Sequence, residues 1–139
     1  MNVTFTPTYL GTIKGAVTVS DSASVNQQVL NVTGSGVLPV TFSPTGLTFA
    51  AQTVGTTSAP QSVTLTNNLA TTLSRIAIIA SGDFAISSNA CGSTLSANGQ
   101  CTFGVTFTPS QTGSIKGGVT VTDSAVTSPQ VVNLAGTGQ

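Results

Sequence analysis

Residues 104–138 read GVTFTPSQTGSIKGGVTVTDSAVTSPQVVNLAGTG, and residues 2–36 read NVTFTPTYLGTIKGAVTVSDSASVNQQVLNVTGSG. The two stretches align without a gap at an offset of 102 residues, and 20 of the 35 positions are identical. The identities include Phe5/Phe107 and Gly11/Gly113, so a shared excess of threonine does not account for them. A period of this length is too long for a solenoid repeat and matches the size of one β-sandwich domain.

The repeat predicts the domain organisation of the chain. Residues 37–139 form one complete unit, and residues 1–36 form the C-terminal third of a preceding unit, about three strands. Met1 takes the place of Phe103 in the middle of a predicted strand, so we interpret the N-terminus as a fragment boundary. Three strands are too few to bury a core, and their edges require partners.

Apolar and polar residues alternate along the unit with the period of two that is typical of half-buried strands. Turn-forming residues recur at intervals of roughly 8–12 residues, as in sandwich domains. No window of eleven or more residues shows apolar residues at the helical period of about 3.6 together with helix-capping residues. We therefore predict an all-β fold, an immunoglobulin-like antiparallel β-sandwich of seven or eight strands in a tandem-repeat unit of about 102 residues. Pro39 predicts that the first strand lies at a sheet edge, and the apolar run Ile76–Ile79 predicts a central strand.

The composition excludes several classes of function. The chain of 139 residues has six charged side chains and net charge zero, and it lacks Glu, His and Trp. Most acid–base and metal chemistry has no side chains here, so no catalytic, cofactor-binding or metal site is predicted. Two lysines and one arginine argue against nucleic-acid binding through phosphates. No apolar run approaches the roughly 18 residues of a membrane span, so no membrane insertion is expected.

Cys91 and Cys101 enclose the sequence CGSTLSANGQC. A metal site would need further ligands, and the chain has no His and no third Cys. A redox pair would have the spacing Cys-x-x-Cys. We therefore predict a structural disulfide that closes the loop before the strand at 101–107. Disulfides persist in oxidising compartments, so an extracellular or cell-surface location is expected. The first five residues do not read as a signal peptide, and we expect a piece of a longer exported chain.

Asp21 and Asp123 occupy equivalent turns of the repeat. A Ca²⁺ site at a junction between units would need clustered carboxylates, whereas each turn offers one, so an Asp that binds its own backbone is favoured. A serine nucleophile would have no histidine as its base. Lys14 and Lys116, the other candidate bases, lie at equivalent strand positions that are predicted to face solvent. No enzyme activity is predicted.

The order of these features resembles the bacterial immunoglobulin-like repeats of the choice-of-anchor D proteins, which are related to ASH/Hydin-type domains and more distantly to major sperm protein. The matching features are the Leu47–Phe49 opening, the Cys91 and Cys101 pair, the Val105–Pro109 strand and the Gly136–Gly138 close. The resemblance implies a non-catalytic sandwich, often in tandem on large secreted or surface proteins. Asn67-Asn68-Leu69 stands where a turn containing Gly is common, so the type of this turn stays open.

The favoured function is a structural module for spacing, adhesion or display. Its expected partners are other copies or neighbouring repeats, or else a surface protein or glycan. The alternative is a self-assembling filament or matrix subunit that uses strand complementation. The assembly residues would then be Val3, Phe5, Ile13, Val17, Val19 and Val29. A carbohydrate-binding module is a third possibility, disfavoured by the absence of Trp and by the single Tyr9.

Overall fold

The computed structural model describes residues 2–22 and 27–139. The chain divides into two compact units, unit 1 (Met1–Leu38) and unit 2 (Pro39–Gln139). The strands are β1 (Gly11–Val19), β2 (Gln28–Gly36), β3 (Val40–Ser43), β4 (Gly46–Thr48), β5 (Gln61–Asn67), β6 (Leu73–Ser74), β7 (Ala77–Ala80), β8 (Phe84–Asn89), β9 (Thr94–Leu95), β10 (Gln100–Phe107), β11 (Gly113–Thr122) and β12 (Gln130–Gly138). Over the described ranges, no helix is long and apolar enough to cross a membrane.

Unit 2 is a sandwich of two four-stranded sheets. One sheet has the order β3-β5-β10-β8 and the other has the order β4-β12-β11-β7. All neighbours in these sheets are antiparallel except β4, which pairs with β12 in parallel. β6 and β9 form a separate short pair. The eight strands of the two sheets confirm the predicted all-β, immunoglobulin-like sandwich, and β3, which follows Pro39, lies at an edge as predicted.

The core of unit 2 lies between the two sheets and centres on three phenylalanines. The Phe84 and Phe107 rings stack with centroids 4.9 Å apart, and Phe49 lies 5.7 and 5.8 Å from them. Each stacked ring lies on a glycine of the opposite sheet. A β-carbon placed on Gly117 would lie 2.6 Å from a Phe84 ring carbon, and one on Gly136 would lie 2.6 Å from Phe107. The glycines therefore provide the room that the rings occupy.

Unit 1 is a β1–β2 hairpin that repeats the β11–β12 hairpin residue by residue. Its register runs from Gly11 opposite Gly36 to Val19 opposite Gln28. The register of β11–β12 is the same with 102 added to every number. Phe5 lies on Gly34 as Phe107 lies on Gly136, since a β-carbon at either glycine would be 2.6 Å from the ring. The sequence repeat is therefore also a structural repeat.

Two expectations about strands were wrong. Residues 2–7 form no strand, because their counterparts in β10 pair with β5 and β8, and the described part of unit 1 contains no equivalent of either. The run Ile76–Ile79 overlaps β7, which is an edge strand instead of a central one. Its apolar character does not reflect burial on both faces, since Ile79 is 66% exposed.

Asn67 at the end of β5 is fully buried. Its side chain holds the turn whose type the sequence left open. Its side-chain Nδ2 donates to the carbonyl oxygens of Thr71 at 2.9 Å, Leu95 at 3.2 Å and Ser96 at 2.9 Å. Its Oδ1 accepts from the backbone N–H of Leu69 at 3.0 Å. One amide side chain thus fixes the turn after β5 and the β9 segment together. A buried polar group is tolerated when its donors and acceptors are all used, as here.

We expect Gly117→Val to lower the free energy of unfolding of unit 2 by about 1–3 kcal/mol, because overpacking forces the Phe84 ring and the Ser81 carbonyl to move. Urea titration followed by circular dichroism measures the change. The matched control is Gly15→Val at the equivalent position of unit 1, where the nearest atom to the new β-carbon is a Val32 methyl at 3.5 Å. Equal effects of the two substitutions would contradict the packing described here.

Asn67→Asp keeps the size of the side chain but removes the donor that three carbonyls share. We expect a loss of about 3 kcal/mol or more at neutral pH, because a buried carboxylate would face carbonyl oxygens. The control is Asn98→Asp on an exposed turn with φ 54°, a conformation that both residues tolerate. Thermal unfolding of both variants tests this, and an unaltered midpoint for Asn67→Asp would be inconsistent with the hydrogen bonds assigned to Asn67.

Candidate interaction site

The two faces of the β1–β2 hairpin differ in composition. Residues directly opposite each other in an antiparallel pair point to the same side. Val17 lies opposite Leu30, and Gly15 lies opposite Val32. The inner face, as we name it, consists of Ile13, Gly15, Val17, Val19, Leu30, Val32 and Gly34, with Gln28 opposite Val19 at its end. Val3 and Phe5 join its end, where a groove of about 340 Å³ is lined in part by Ile13, Gly15 and Val32.

The inner face is mostly apolar, and its side chains are half-buried or exposed. Phe5 is 49% exposed and Leu30 is 58% exposed, whereas their counterparts Phe107 and Val132 are fully buried in unit 2. No large hydrophobic side chain is buried among the described residues of unit 1. An isolated two-stranded hairpin is marginally stable in water, and contiguous exposed apolar surface marks interaction sites. This face is the candidate interaction site of the chain.

The structure brings five of the six predicted assembly residues to this site. Ile13, Val17 and Val19 lie on the inner face, and Val3 and Phe5 lie at its end. Val29 does not share this face, because it lies opposite Thr18 on the other side of the hairpin. Its counterpart Val131 is likewise exposed, at 54%.

Sequence reasoning missed Leu30 and Val32, which hold the inner positions of β2. The signal was present in the repeat, because these residues align with the buried Val132 and Leu134. A strand whose phase is misjudged by one residue has all its side chains assigned to the wrong face.

Cys91 and Cys101 are joined by a disulfide, with their Cα atoms 4.9 Å apart. Cys91 follows β8 and is 3% exposed, and Cys101 lies in β10 opposite Leu65. The Cys91 N–H also donates to Oδ1 of Asn89 at 2.9 Å. The bond closes the loop that carries β9. Closing a ring of this size corresponds to about 2.5–3 kcal/mol of lost entropy in the unfolded chain.

The aspartates have structural hydrogen bonds. Oδ1 of Asp123 accepts from the N–H of Ala125 at 2.7 Å, so Asp123 binds its own turn as predicted. Oδ2 of Asp83 accepts from the N–H and the hydroxyl of Ser110, at 2.8 and 3.0 Å. Within the described ranges, no group of three or more His, Cys, Asp or Glu residues is placed to hold a metal ion.

Comparisons with solved structures show the same fold in proteins of low sequence identity. The ASH/PapD-like domain 7 of human CEP192 matches with a TM-score of 0.57 and 17% identity, covering 86% of this chain and 98% of that domain. A protein of unknown function from Porphyromonas gingivalis W83 matches with a TM-score of 0.59 and 10% identity, covering 94% of this chain and 67% of that one. The VesB protease of Vibrio cholerae matches with a TM-score of 0.53 and 15% identity, covering 71% of this chain and 32% of the protease.

No curated protein matches the chain by sequence. A family model does match, namely that of the ASH domain, described as abnormal spindle-like microcephaly-associated, ASPM-SPD-2-Hydin, over residues 34–131. The ASH domain is a non-enzymatic structural or interaction module. Because the match spans most of the chain and unit 2 has the corresponding sandwich, this chain belongs to the ASH family.

Proposed function

We propose that the chain is a structural module of a large secreted or surface protein, where it spaces or displays other parts in an array of sandwich repeats. The observation that carries this proposal is the Cys91–Cys101 disulfide within an ASH sandwich. Structural disulfides of this kind persist outside reducing compartments. The internal repeat supports the array, because a second copy of the β11–β12 hairpin precedes unit 2.

The surface chemistry supports a spacing role. Six charged side chains in 139 residues give little electrostatic attraction to charged ligands. The module therefore contacts its partners through apolar faces and sheet edges, and these partners are neighbouring repeats. In the whole protein this chain is a non-catalytic module. An adhesive function would consist of contacts between this module and other surface molecules.

The location is tested on cells of the producing organism with an antibody raised against the purified chain. We expect labelling of intact, unpermeabilised cells or of protein in the medium. We also expect that Cys91 and Cys101 of the native protein resist alkylation until they are reduced, as read by mass spectrometry. Labelling only after permeabilisation, together with two freely alkylated cysteines, would overturn the secreted or surface assignment.

A second candidate function, self-assembly into a filament or matrix, is favoured by the exposed inner face of unit 1. Heterologous contacts that do not close produce open polymers. The two candidate functions predict different native masses for the purified chain in solution.

For the spacer module we expect light scattering to give a steady mass near 13.8 kDa across a concentration series. Negative-stain images of the same samples should show no threads. Growth into dimers or threads with concentration would place the filament function first. The control is a variant with Leu30→Asp on the inner face, which should reverse any growth that this face causes.

A further inference from the structure

Gly15 holds the position in unit 1 that Gly117 holds in unit 2, but no ring of the described residues is packed on it. In unit 2 the Phe84 ring lies on Gly117, where any β-carbon would be 2.6 Å from it. A β-carbon on Gly15 would meet only a methyl group of Val32, at 3.5 Å. Gly15 therefore leaves room for a ring that unit 1 does not supply.

Phe5 shows the same incompleteness. It lies on Gly34 in the way that Phe107 lies on Gly136. Phe107 then stacks on Phe84 and contacts Phe49, and it is fully buried. Phe5 is 49% exposed. One side of the Phe5 ring packs on Gly34 within unit 1, whereas its outer side is exposed.

No other strand within the described ranges pairs with either edge of the hairpin. In unit 2, β11 pairs with β7 on its outer side and β12 pairs with β4. In unit 1, β1 and β2 form a two-stranded sheet with each other. Unpaired backbone groups along a strand are a template for pairing with another strand. The described part of unit 1 thus supplies no ring on Gly15, no opposing sheet and no strand along either edge of the hairpin.

We propose that unit 1 completes a second sandwich body of this same repeat, meaning a body of strands equivalent to residues 40–103 supplied by another repeat. A phenylalanine equivalent to Phe84 packs on Gly15. A strand equivalent to β7 pairs with β1, and one equivalent to β4 pairs with β2. Unit 2 is the template for this assignment, because it shows an almost identical hairpin covered by these elements. The inference deepens the proposed array, on which it rests, by naming the face and the side chain that join one repeat to another.

Chemical complementarity favours this occupant over a glycan or a charged ligand. Around Gly15 the inner face offers the side chains of Ile13, Val17 and Val32, so this part of it fits an apolar surface of matching shape better than a hydroxylated one. A flat apolar partner would leave the space over Gly15 empty, whereas a ring fills it. Gly15 is therefore the position that distinguishes the proposed body from other apolar partners.

The test uses two full-length chains. The acceptor carries Val119→Asp and Val132→Asp, which disable its own C-terminal hairpin, and Phe107→Ala at the end of β10, which removes the ring that packs on that hairpin. It also carries Gly15→Val, which blocks its own unit 1. The acceptor is labelled with ¹⁵N and diluted from urea directly into an excess of unlabelled wild-type donor. We expect a dispersed amide NMR spectrum of the acceptor and a one-to-one complex by light scattering.

Two donors serve as matched controls. The Gly15→Val donor keeps an intact unit 2 and should bind the acceptor at least tenfold more weakly, because its new methyl groups occupy the seat of the ring. The Thr18→Val donor adds methyl groups on the opposite face, where the counterpart Thr120 is exposed, and should match the wild type. Equal rescue by the wild-type and Gly15→Val donors would overturn the proposal, as would an acceptor that folds alone.

A second measurement uses one chain by itself, so no unfolded acceptor has to bind a donor. A chain with Phe107→Ala, Val119→Asp and Val132→Asp but with the natural Gly15 carries its own replacement hairpin. We expect it to retain a cooperative thermal transition, and we expect the addition of Gly15→Val to abolish that transition. Identical unfolding of the two variants would refute the role of Gly15. The cellular location is read separately from these assays, so failure here leaves the secreted-module assignment standing.

Discussion

The sandwich depends on the packing of phenylalanine rings directly on glycine backbone. Phe84 and Phe107 come from one sheet and lie on Gly117 and Gly136 of the other. Glycine lets the two sheets approach closely at these points, and the rings then stack on each other at 4.9 Å. Interiors at native density tolerate little added volume, so both glycines are required by the rings and not by the conformation of the strands.

With few charges available, the loop end of the sandwich is held by one covalent bond and one buried amide. The Cys91–Cys101 disulfide closes the loop that carries β9, and Asn67 binds the carbonyls of Leu95 and Ser96 within that loop. The disulfide joins the two ends of this segment, and Asn67 binds its middle. The segment is thus fixed without an ion pair, which on an exposed surface contributes little to stability.

The alternation of apolar residues, with regularly spaced turns, was sufficient to predict the sandwich, because a period of two follows directly from strand geometry. The edge strand was predicted from Pro39, which has no N–H to donate to a sheet. It was insufficient for β7, since an apolar run does not show which of its residues another sheet covers. The role of Asn67 could not be read from its neighbours, because its carbonyl partners Leu95 and Ser96 lie 28 and 29 residues away. Val29 was misplaced by one residue of phase, which the alignment of Leu30 with Val132 could have corrected.

The structural repeat raises the question of why unit 1 of a second molecule does not displace the C-terminal hairpin of unit 2. The two hairpins share their register and most of their inner residues, so their contacts with a sandwich body are similar in kind. The C-terminal hairpin follows β10 directly through a short turn, and a short connection gives an effective concentration in the millimolar range. A hairpin from another molecule must compete against that advantage at far lower concentration. On this argument unit 2 keeps its own strands against a hairpin that a second molecule supplies.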